Sequence, residues 1–374
     1  SMFDPGDVIV PIINGVDTPI FISKAAYGGN IIEVGGFSHD PEVYRETGFV
    51  STREAPRTPE LILPGDTTLF VMNGPLLTVD QNPNLPWYYM AATGNKKWTT
   101  GAGMVSTDDE NFAADAFFTT YSTMGVVQGA PGDGPTDIFD DNAIITVVLH
   151  KGALESVSDD LLYQGRNAAL IGNEVIQYGR AVQLADGSWR LSHLIRGRRG
   201  TEWATAGHVP GENFVFLNGA IIAYDDTLDK VGRTVYWKGV TAGQNPTDAE
   251  SSPFVDDGRS LKPFSPVHIE GFRDDTQNLT INWIRRSRIP HNWGDGAIEM
   301  PLGEATEKYE IDFISTVDDT VVKTVTTTTP TYSYSAAEQV TDFGSIQYFL
   351  KLKIYQISAI VGRGYPGQPD NGGI

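Results

Sequence analysis

Residues 350–357 read LKLKIYQI, and residues 279–283 read LTINW. Both segments alternate apolar and polar side chains, which is the period of a β-strand with one buried face, because successive side chains point to opposite sides of the sheet. Residues 309–313, YEIDF, repeat the pattern. We therefore predict an independently folding β-sandwich over residues 263–365, in which Trp283, Tyr309 and Tyr355 are buried.

The rest of the 374-residue chain is also typical of β structure. Its 40 Gly and 22 Pro are spread evenly, and short runs rich in Val, Ile, Thr, Tyr and Phe lie between them. Turn residues at short intervals between such runs favour many short strands. We predict a mainly β fold of several sandwich or barrel modules, with β-rich domains at 1–90 and 91–260. Residues 261–374, with a core Trp strand and a Tyr strand, resemble a fibronectin type III domain.

Charge and composition exclude several classes of function. The chain carries 47 acidic and 27 basic residues, a net charge of -20, which repels phosphate backbones and argues against nucleic acid as a partner. It has no Cys, so it can form neither a disulfide nor a thiolate metal site. No apolar run approaches the roughly 18 residues of a membrane-spanning helix, so we expect no membrane span.

Catalytic and metal-binding patterns are absent from the sequence. It has no His-Glu-x-x-His, Gly-x-Ser-x-Gly, phosphate-loop or calcium-loop pattern. The acidic loop at 133–141 could offer oxygen ligands to calcium, but its spacing favours a solvated loop. We expect no cofactor, no metal and no enzymatic activity in this chain.

Two clusters are candidate binding sites. The aromatic residues Trp87, Tyr88 and Tyr89, with Trp98 nearby, could stack on sugar rings, since flat apolar faces with polar rims suit a saccharide. Packing in a core is the alternative. The second cluster is an unusual basic group in an acidic chain and could bind an anionic glycan or a phosphate, or pair with neighbouring carboxylates. Its members are Arg196, Arg198 and Arg199.

A longer series of motifs points to one family. Residues 161–167 read LLYQGRN, residues 171–178 read IGNEVIQY, and residues 189–202 read WRLSHLIRGRRGTE. Residues 355–358, YQIS, continue the series. In this order the motifs resemble the C-terminal region of the tail-tip, or baseplate hub, proteins of gene transfer agents and related siphophages. The resemblance spans residues 98–365, and residues 1–90 match only loosely.

This resemblance implies a structural and host-attachment role in a phage-type tail tip. It implies a location at the distal tip of a virion or phage-like particle made in the bacterial cytoplasm, as a homotrimer among other tail-tip proteins and in contact with a cell-surface glycan or receptor. It assigns no catalytic residue here, and it places any hydrolase activity upstream of this region. The alternative is a glycan hydrolase or a carbohydrate-binding accessory module of one. Because protomers of charge -20 repel each other, we expect the isolated chain to be a monomer.

Overall fold

The computed structural model describes residues 3–44, 65–95, 97–290, 300–369 and 371–374. The chain divides into two compact units, residues 1–61 and 62–374. This division falls at residue 61, earlier than the predicted boundary at residue 90, and the predicted boundary at residue 260 stays a prediction.

The first unit is a small β meander. Its strands are β1 (Val8–Ile9), β2 (Ile12–Ile13), β3 (Val16–Asp17), β4 (Ile20–Gly28) and β5 (Ile31–Ser38), followed by a 3₁₀ turn (Pro41–Tyr44). Strand β4 pairs with β1 and β5, and β2 pairs with β3. Most of its large apolar side chains are exposed, among them Ile12, Ile31 and Phe37. Ile22 is the buried exception in the part of this unit that the structure describes.

The second unit holds three β modules, and the strands of one of them lie both before and after the barrel strands in the sequence. The strands before residue 220 are β6 (Thr67–Asn73), β7 (Trp87–Gly94), β8 (Gly101–Ser106), β9 (Ala113–Phe118), β10 (Met124–Gly129), β11 (Ile145–Lys151), β12 (Ala168–Ile171), β13 (Glu174–Gln183), β14 (Trp189–Arg198) and β15 (Asn213–Phe216). Helix α1 (Asp159–Tyr163) lies between β11 and β12, and a 3₁₀ turn (Glu202–Ala204) follows β14.

The later strands continue the second unit. They are β16 (Ile222–Asp225), β17 (Thr234–Thr241), β18 (Ser251–Val255), β19 (Val267–Arg273), β20 (Leu279–Ile284), β21 (Tyr309–Ile314), β22 (Val321–Thr327), β23 (Thr331–Tyr334), β24 (Lys351–Ser358) and β25 (Gly362–Arg363). Three 3₁₀ turns lie at Leu228–Lys230, Pro246–Asp248 and Arg259–Leu261, and helix α2 spans Ala336–Phe343. Together these elements make the chain mainly β.

Strands β10 to β15 close into a six-stranded antiparallel barrel in the order β10-β11-β14-β13-β12-β15. Inward-facing side chains fill its interior, including Val147, Ile176, Tyr178 and Phe214. Closure leaves the barrel without a free sheet edge, which removes the hazard of pairing with another chain.

A three-stranded sheet, β16-β7-β6, forms a middle layer. One of its faces, with Tyr88 and Met90, packs on the sheet β18-β17-β8-β9. The opposite face, with Tyr89 and Ala91, packs on the barrel. Because β7 is covered on both sides and pairs with β16, residues 87–94 belong to the same module as residues 222–225. This pairing is why no structural boundary falls at residue 90.

The C-terminal module is a fibronectin type III-like sandwich. The sheet β19-β20-β23 faces the sheet β22-β21-β24-β25 across one core. Leu279, Ile281 and Trp283 share the buried face of β20, and Tyr309 is fully buried, as the alternation predicts.

The prediction that Tyr355 is buried in this core is wrong. Strand β24 turns Leu352 and Ile354 inward, so Tyr355 lies on the outer face. There its ring lies 4.4 Å from the Arg363 guanidinium, in a cation–π contact. Tyr334 is the core residue instead, with its ring stacked 4.4 Å from that of Phe313.

Among the described residues, no helix is long and apolar enough to cross a membrane.

Candidate functional site

The aromatic cluster does not form an exposed sugar-binding surface. Tyr88, Tyr89 and Trp98 are each only 2% exposed. The Tyr89 hydroxyl donates to the carbonyl of Pro75 at 2.6 Å, and Trp98 Nε1 donates to Thr67 Oγ1 at 2.7 Å. These three side chains are core groups, and the polar ends of Tyr89 and Trp98 are satisfied, so the proposed stacking surface at this cluster is corrected.

Trp87, the fourth member, is half-buried at the start of β7. Its Nε1 donates to the carbonyl of Asn82 at 2.9 Å, and its backbone N–H donates to Ser260 Oγ at 2.8 Å. The rest of β7 is buried on both faces, and a strand buried in this way has a continuous run of mostly apolar side chains without alternation. Because the aromatic residues of such a strand are adjacent in the sequence, the sequence alone does not distinguish them from an aromatic cluster on the surface.

The basic group is also internal. The Arg196 side chain is fully buried and donates through Nε and Nη2 to Glu174, at 2.8 and 2.9 Å. It also donates to the carbonyls of Gly132 and Thr205 and contacts Asp140 at 3.3 Å. Since every side of the guanidinium is occupied, Arg196 has no donor left for an external anion. The anion-site hypothesis is therefore wrong for Arg196.

Arg198 and Arg199 are partly buried beside it. Arg198 Nε donates to Gln177 Oε1 at 2.8 Å, and Arg199 Nη2 donates to the carbonyl of Leu77 at 3.3 Å. Burial lowers the pKa of both guanidinium groups. Both residues hold neighbouring parts of the fold, so they do not form a free basic surface.

Glu174 connects this network to a histidine. It accepts from His208 Nε2 at 2.9 Å and from the Gly197 N–H at 2.6 Å. His208 Nδ1 bonds Glu212 at 2.7 Å, so both ring nitrogens contact carboxylates. Carboxylates at both ring nitrogens favour the doubly protonated imidazolium, because a carboxylate only accepts. The bond to Glu174, with help from Glu212, raises the pKa of His208 above its ordinary value.

A second histidine is held in the same way at the barrel surface. His193 on β14 bonds Asp141 through Nδ1 at 2.5 Å and Asp159 through Nε2 at 3.0 Å. Its ring stacks 4.2 Å from that of Phe139. The bond to Asp141 is the main reason that the pKa of His193 is raised. The ring thereby joins the loop before β11 to the first turn of α1.

The segment after β14 joins the barrel to the sandwich. Gly200 has a φ of 79°, and a Cβ there would lie 2.2 Å from the Phe264 ring. Glu202 pairs with Arg286 of the sandwich at 2.6 Å. At the next residue, the Trp203 ring stacks on the Tyr365 ring with their centroids 5.2 Å apart. The Arg-Gly-Arg-Arg-Gly-Thr-Glu motif therefore works as a joint between two modules.

These arrangements are suited to holding segments together. The buried ionisable groups around Glu174 are saturated by hydrogen bonds within the chain. Among the described residues, no group of three or more His, Asp or Glu side chains is placed to hold a metal ion.

Sequence reasoning missed the two histidine clamps, Glu212–His208–Glu174 and Asp141–His193–Asp159. One signal was present, because His208 and Glu212 are four residues apart. The other carboxylates come from distant positions, and only the barrel brings them together.

Comparison with solved structures gives only weak similarity. The FN1–FN3 domains of chicken CNTN1 match at 8% identity with a TM-score of 0.20, over 81% of this chain and 95% of that chain. Domains A168–A170 of titin match at 8% identity with a TM-score of 0.21, over 82% and 98%. No curated protein sequence matches the chain.

One family model matches part of the sequence. Residues 122–215 match the family described as Rcc01698-like, C-terminal. The matched residues coincide with the six-stranded barrel, from just before β10 to the end of β15. Over its barrel, the chain is similar to the Rcc01698-like C-terminal family.

Proposed function

We propose that this chain is a structural and host-attachment component of a phage-type tail tip, in which the barrel and the sandwich form one part of the hub. The observation that carries the proposal is the coincidence of the matched residues, 122–215, with the closed barrel. The match concerns a complete structural module, and the motifs that suggested the hub family lie largely within it.

The contacts around the barrel support a scaffold role. A buried ion pair that satisfies all its partners contributes to one specific arrangement of the chain more than to net stability. Arg196, Glu174 and His208 tie three separated segments of the barrel to each other. Glu202 and Arg286 then tie the barrel to the sandwich. A structural protein that holds its neighbours at fixed positions in a particle needs modules that are fixed relative to each other in this way.

Attachment requires a different surface from the buried Trp87–Trp98 cluster. One end of the sandwich exposes Phe272, Tyr348 and Phe349, with Tyr348 78% exposed. Arg273 links them, because it donates to the carbonyl of Gln347 and lies 6.0 Å from the Tyr348 ring. Exposed aromatic rings beside a guanidinium suit the apolar faces and polar rim of a glycan. We assign the contact with a cell-surface glycan to this end.

Binding and turnover measurements test this assignment. We expect the protein to bind peptidoglycan or capsular polysaccharide without releasing reducing ends. Tyr348→Ala should weaken binding about fivefold, since stacking on one ring contributes roughly 1 kcal/mol. Tyr163→Ala, which removes an exposed Tyr from α1, is the matched control and should bind as the parent does. Clear release of reducing ends would instead favour a hydrolase.

A further inference from the structure

The middle sheet of the second unit has an open edge. Strand β6 pairs with β7 on one side, and in the part of the chain that the structure describes it has no strand on the other side. Every second backbone N–H and C=O along an unpaired edge points away from the sheet and needs a partner.

The sequence of this edge does nothing to prevent pairing. Residues 67–73 read TTLFVMN, with no charged residue, no Pro and no Gly. Natural edge strands that must stay free are usually protected by Lys, by Pro or by a bulge. The register of β6 with β7 is continuous from Thr67 to Asn73, without a bulge. The strand is therefore a competent template for a further strand.

The edge lies at the floor of a groove with two walls. One wall is the turn between β12 and β13, at Gly172 and Asn173, and the other is β18 from Pro253 to Val255. The floor contributes Phe70 and Met72, and no residue that lines the groove is charged. In a chain of net charge -20, an uncharged groove with a mixed polar and apolar lining beside an open strand edge selects an uncharged ligand.

The two walls of the groove limit the shape of the ligand that can reach the edge of β6. The β6 edge of a second copy would bring its own two walls, so two recessed edges cannot pair face to face. A single extended segment has no walls and can enter. The opposite wall, β18, carries Pro253, which has no N–H to donate, so the hydrogen bonds come from β6.

From this geometry we propose that the groove binds an extended, uncharged segment of a partner protein, which adds a fourth strand to the middle sheet beside β6. Backbone hydrogen bonds to β6 provide the affinity, and alternate apolar side chains of the segment pack against Phe70, Met72 and Phe254. Four of the seven residues of β6, Phe70 to Asn73, line the groove and offer about 13 Å of edge there. This proposal does not depend on the attachment role of the sandwich.

The probe is a capped heptapeptide, Thr-Val-Thr-Ile-Thr-Val-Thr, added to the full chain. We expect it to slow the exchange of backbone amide hydrogens in residues 68–72 about tenfold when saturating. The same peptide with N-methyl groups on alternate residues lacks the donors of one edge and should bind at least about tenfold more weakly.

Two variants locate the site. Thr68→Lys places a charge on the exposed side of β6 and should also weaken binding about tenfold, because Lys is the residue that natural edge strands use against pairing. Thr280→Lys is the matched control, an exposed Thr on β20, which has paired strands on both sides. It should bind the peptide as the parent does, and circular dichroism checks that both variants are folded.

Three results would overturn the proposal. They are unchanged exchange in residues 68–72 at millimolar peptide, equal binding of the N-methylated peptide, and peptide binding that disperses an oligomer of the chain itself. The last result would assign the groove to a second copy. Because the N-methylated peptide is tested on the unaltered chain, the proposal can be tested even if Thr68→Lys does not fold.

Discussion

At the scale of single residues, the chain surrounds the buried charges of Arg196 and Glu174 with several partners each. Arg196 and Glu174 are both fully buried, and the carboxylate accepts from the guanidinium, from the Gly197 N–H and from His208. Removing one charge from such a group leaves the other without compensation, which costs more than the intact pair contributes.

We therefore expect Glu174→Gln to lower the free energy of unfolding by about 3–5 kcal/mol, because the buried Arg196 guanidinium loses its bidentate carboxylate partner and keeps only the longer contact with Asp140. Urea denaturation followed by tryptophan fluorescence measures the change. Glu250→Gln, at an exposed position, is the control and should stay within about 0.5 kcal/mol of the parent. A loss at Glu174 as small as that of the control would show that the network is not needed for folding.

The histidine clamps predict how stability depends on pH. In the folded chain the pKa of His208 is raised above its ordinary value of 6.5, so the folded state binds the proton more tightly than the unfolded state. The contribution of His208 is complete below pH 6.5 and is lost as the pH rises through the raised pKa.

The test is the free energy of unfolding of the parent and of His208→Gln between pH 6 and pH 9. The parent should lose more stability than the variant over this range, since the variant has no imidazolium to lose. Parallel curves for the two proteins would show that the charge on His208 does not contribute.

At the scale of elements, two glycines with similar backbone angles but different surroundings separate the cost of backbone strain from the cost of a steric clash. Gly200 and Gly207 have similar φ values, 79° and 85°. A Cβ on Gly200 would meet the Phe264 ring, whereas one on Gly207 would meet nothing within 4 Å. Gly207→Ala should cost about 1 kcal/mol, the backbone penalty alone. Gly200→Ala should cost clearly more in urea denaturation, because it also separates the barrel from the sandwich; equal losses would contradict the joint.

A second pair of variants compares a residue on the inner face of the sandwich with one on its outer face. Trp283 is in the core, so Trp283→Ala should lower the free energy of unfolding by about 3–5 kcal/mol. Tyr355 lies outside the core, and Tyr355→Ala should cost about 1 kcal/mol through loss of its contact with Arg363. Urea denaturation of both variants checks the register, and a larger loss at Tyr355 than at Trp283 would reverse it.

The same strands show what a sequence can and cannot predict. In residues 279–283 the polar positions are clearly polar, so alternation identifies the buried face of Trp283 correctly. In residues 350–357, strict alternation puts Tyr355 on the same face as Lys351 and Lys353, outside the core, and the prediction from aromatic character overrode that pattern. Residues 87–92 are buried on both faces, so no alternation exists to place Tyr88 and Tyr89. Ion networks such as that of Arg196 depend on barrel closure, which local patterns do not record.

At the scale of the whole molecule, charge and exposed apolar surface act in opposite directions. A net charge of -20 separates copies at low ionic strength. The first unit exposes large apolar side chains such as Phe37, at 70%, and surfaces of this kind usually mark contacts with other proteins.

We expect the isolated chain to be a monomer at low salt and to associate as salt screens its charge, because the screening length falls to about 3 Å at 1 M. Light scattering across a salt series at micromolar concentration measures this. A stable trimer at low salt would contradict the prediction and would show that the interface overcomes repulsion without screening.

The central proposal is that the chain is a component of the distal tip of a phage-type tail. Electron microscopy of particles from the source bacterium, labelled with gold-conjugated antibody raised against this chain, tests it most directly. The account predicts gold at the distal end of the tails, opposite the head. Gold on heads, or particles without label while the soluble fraction contains the protein, would contradict it.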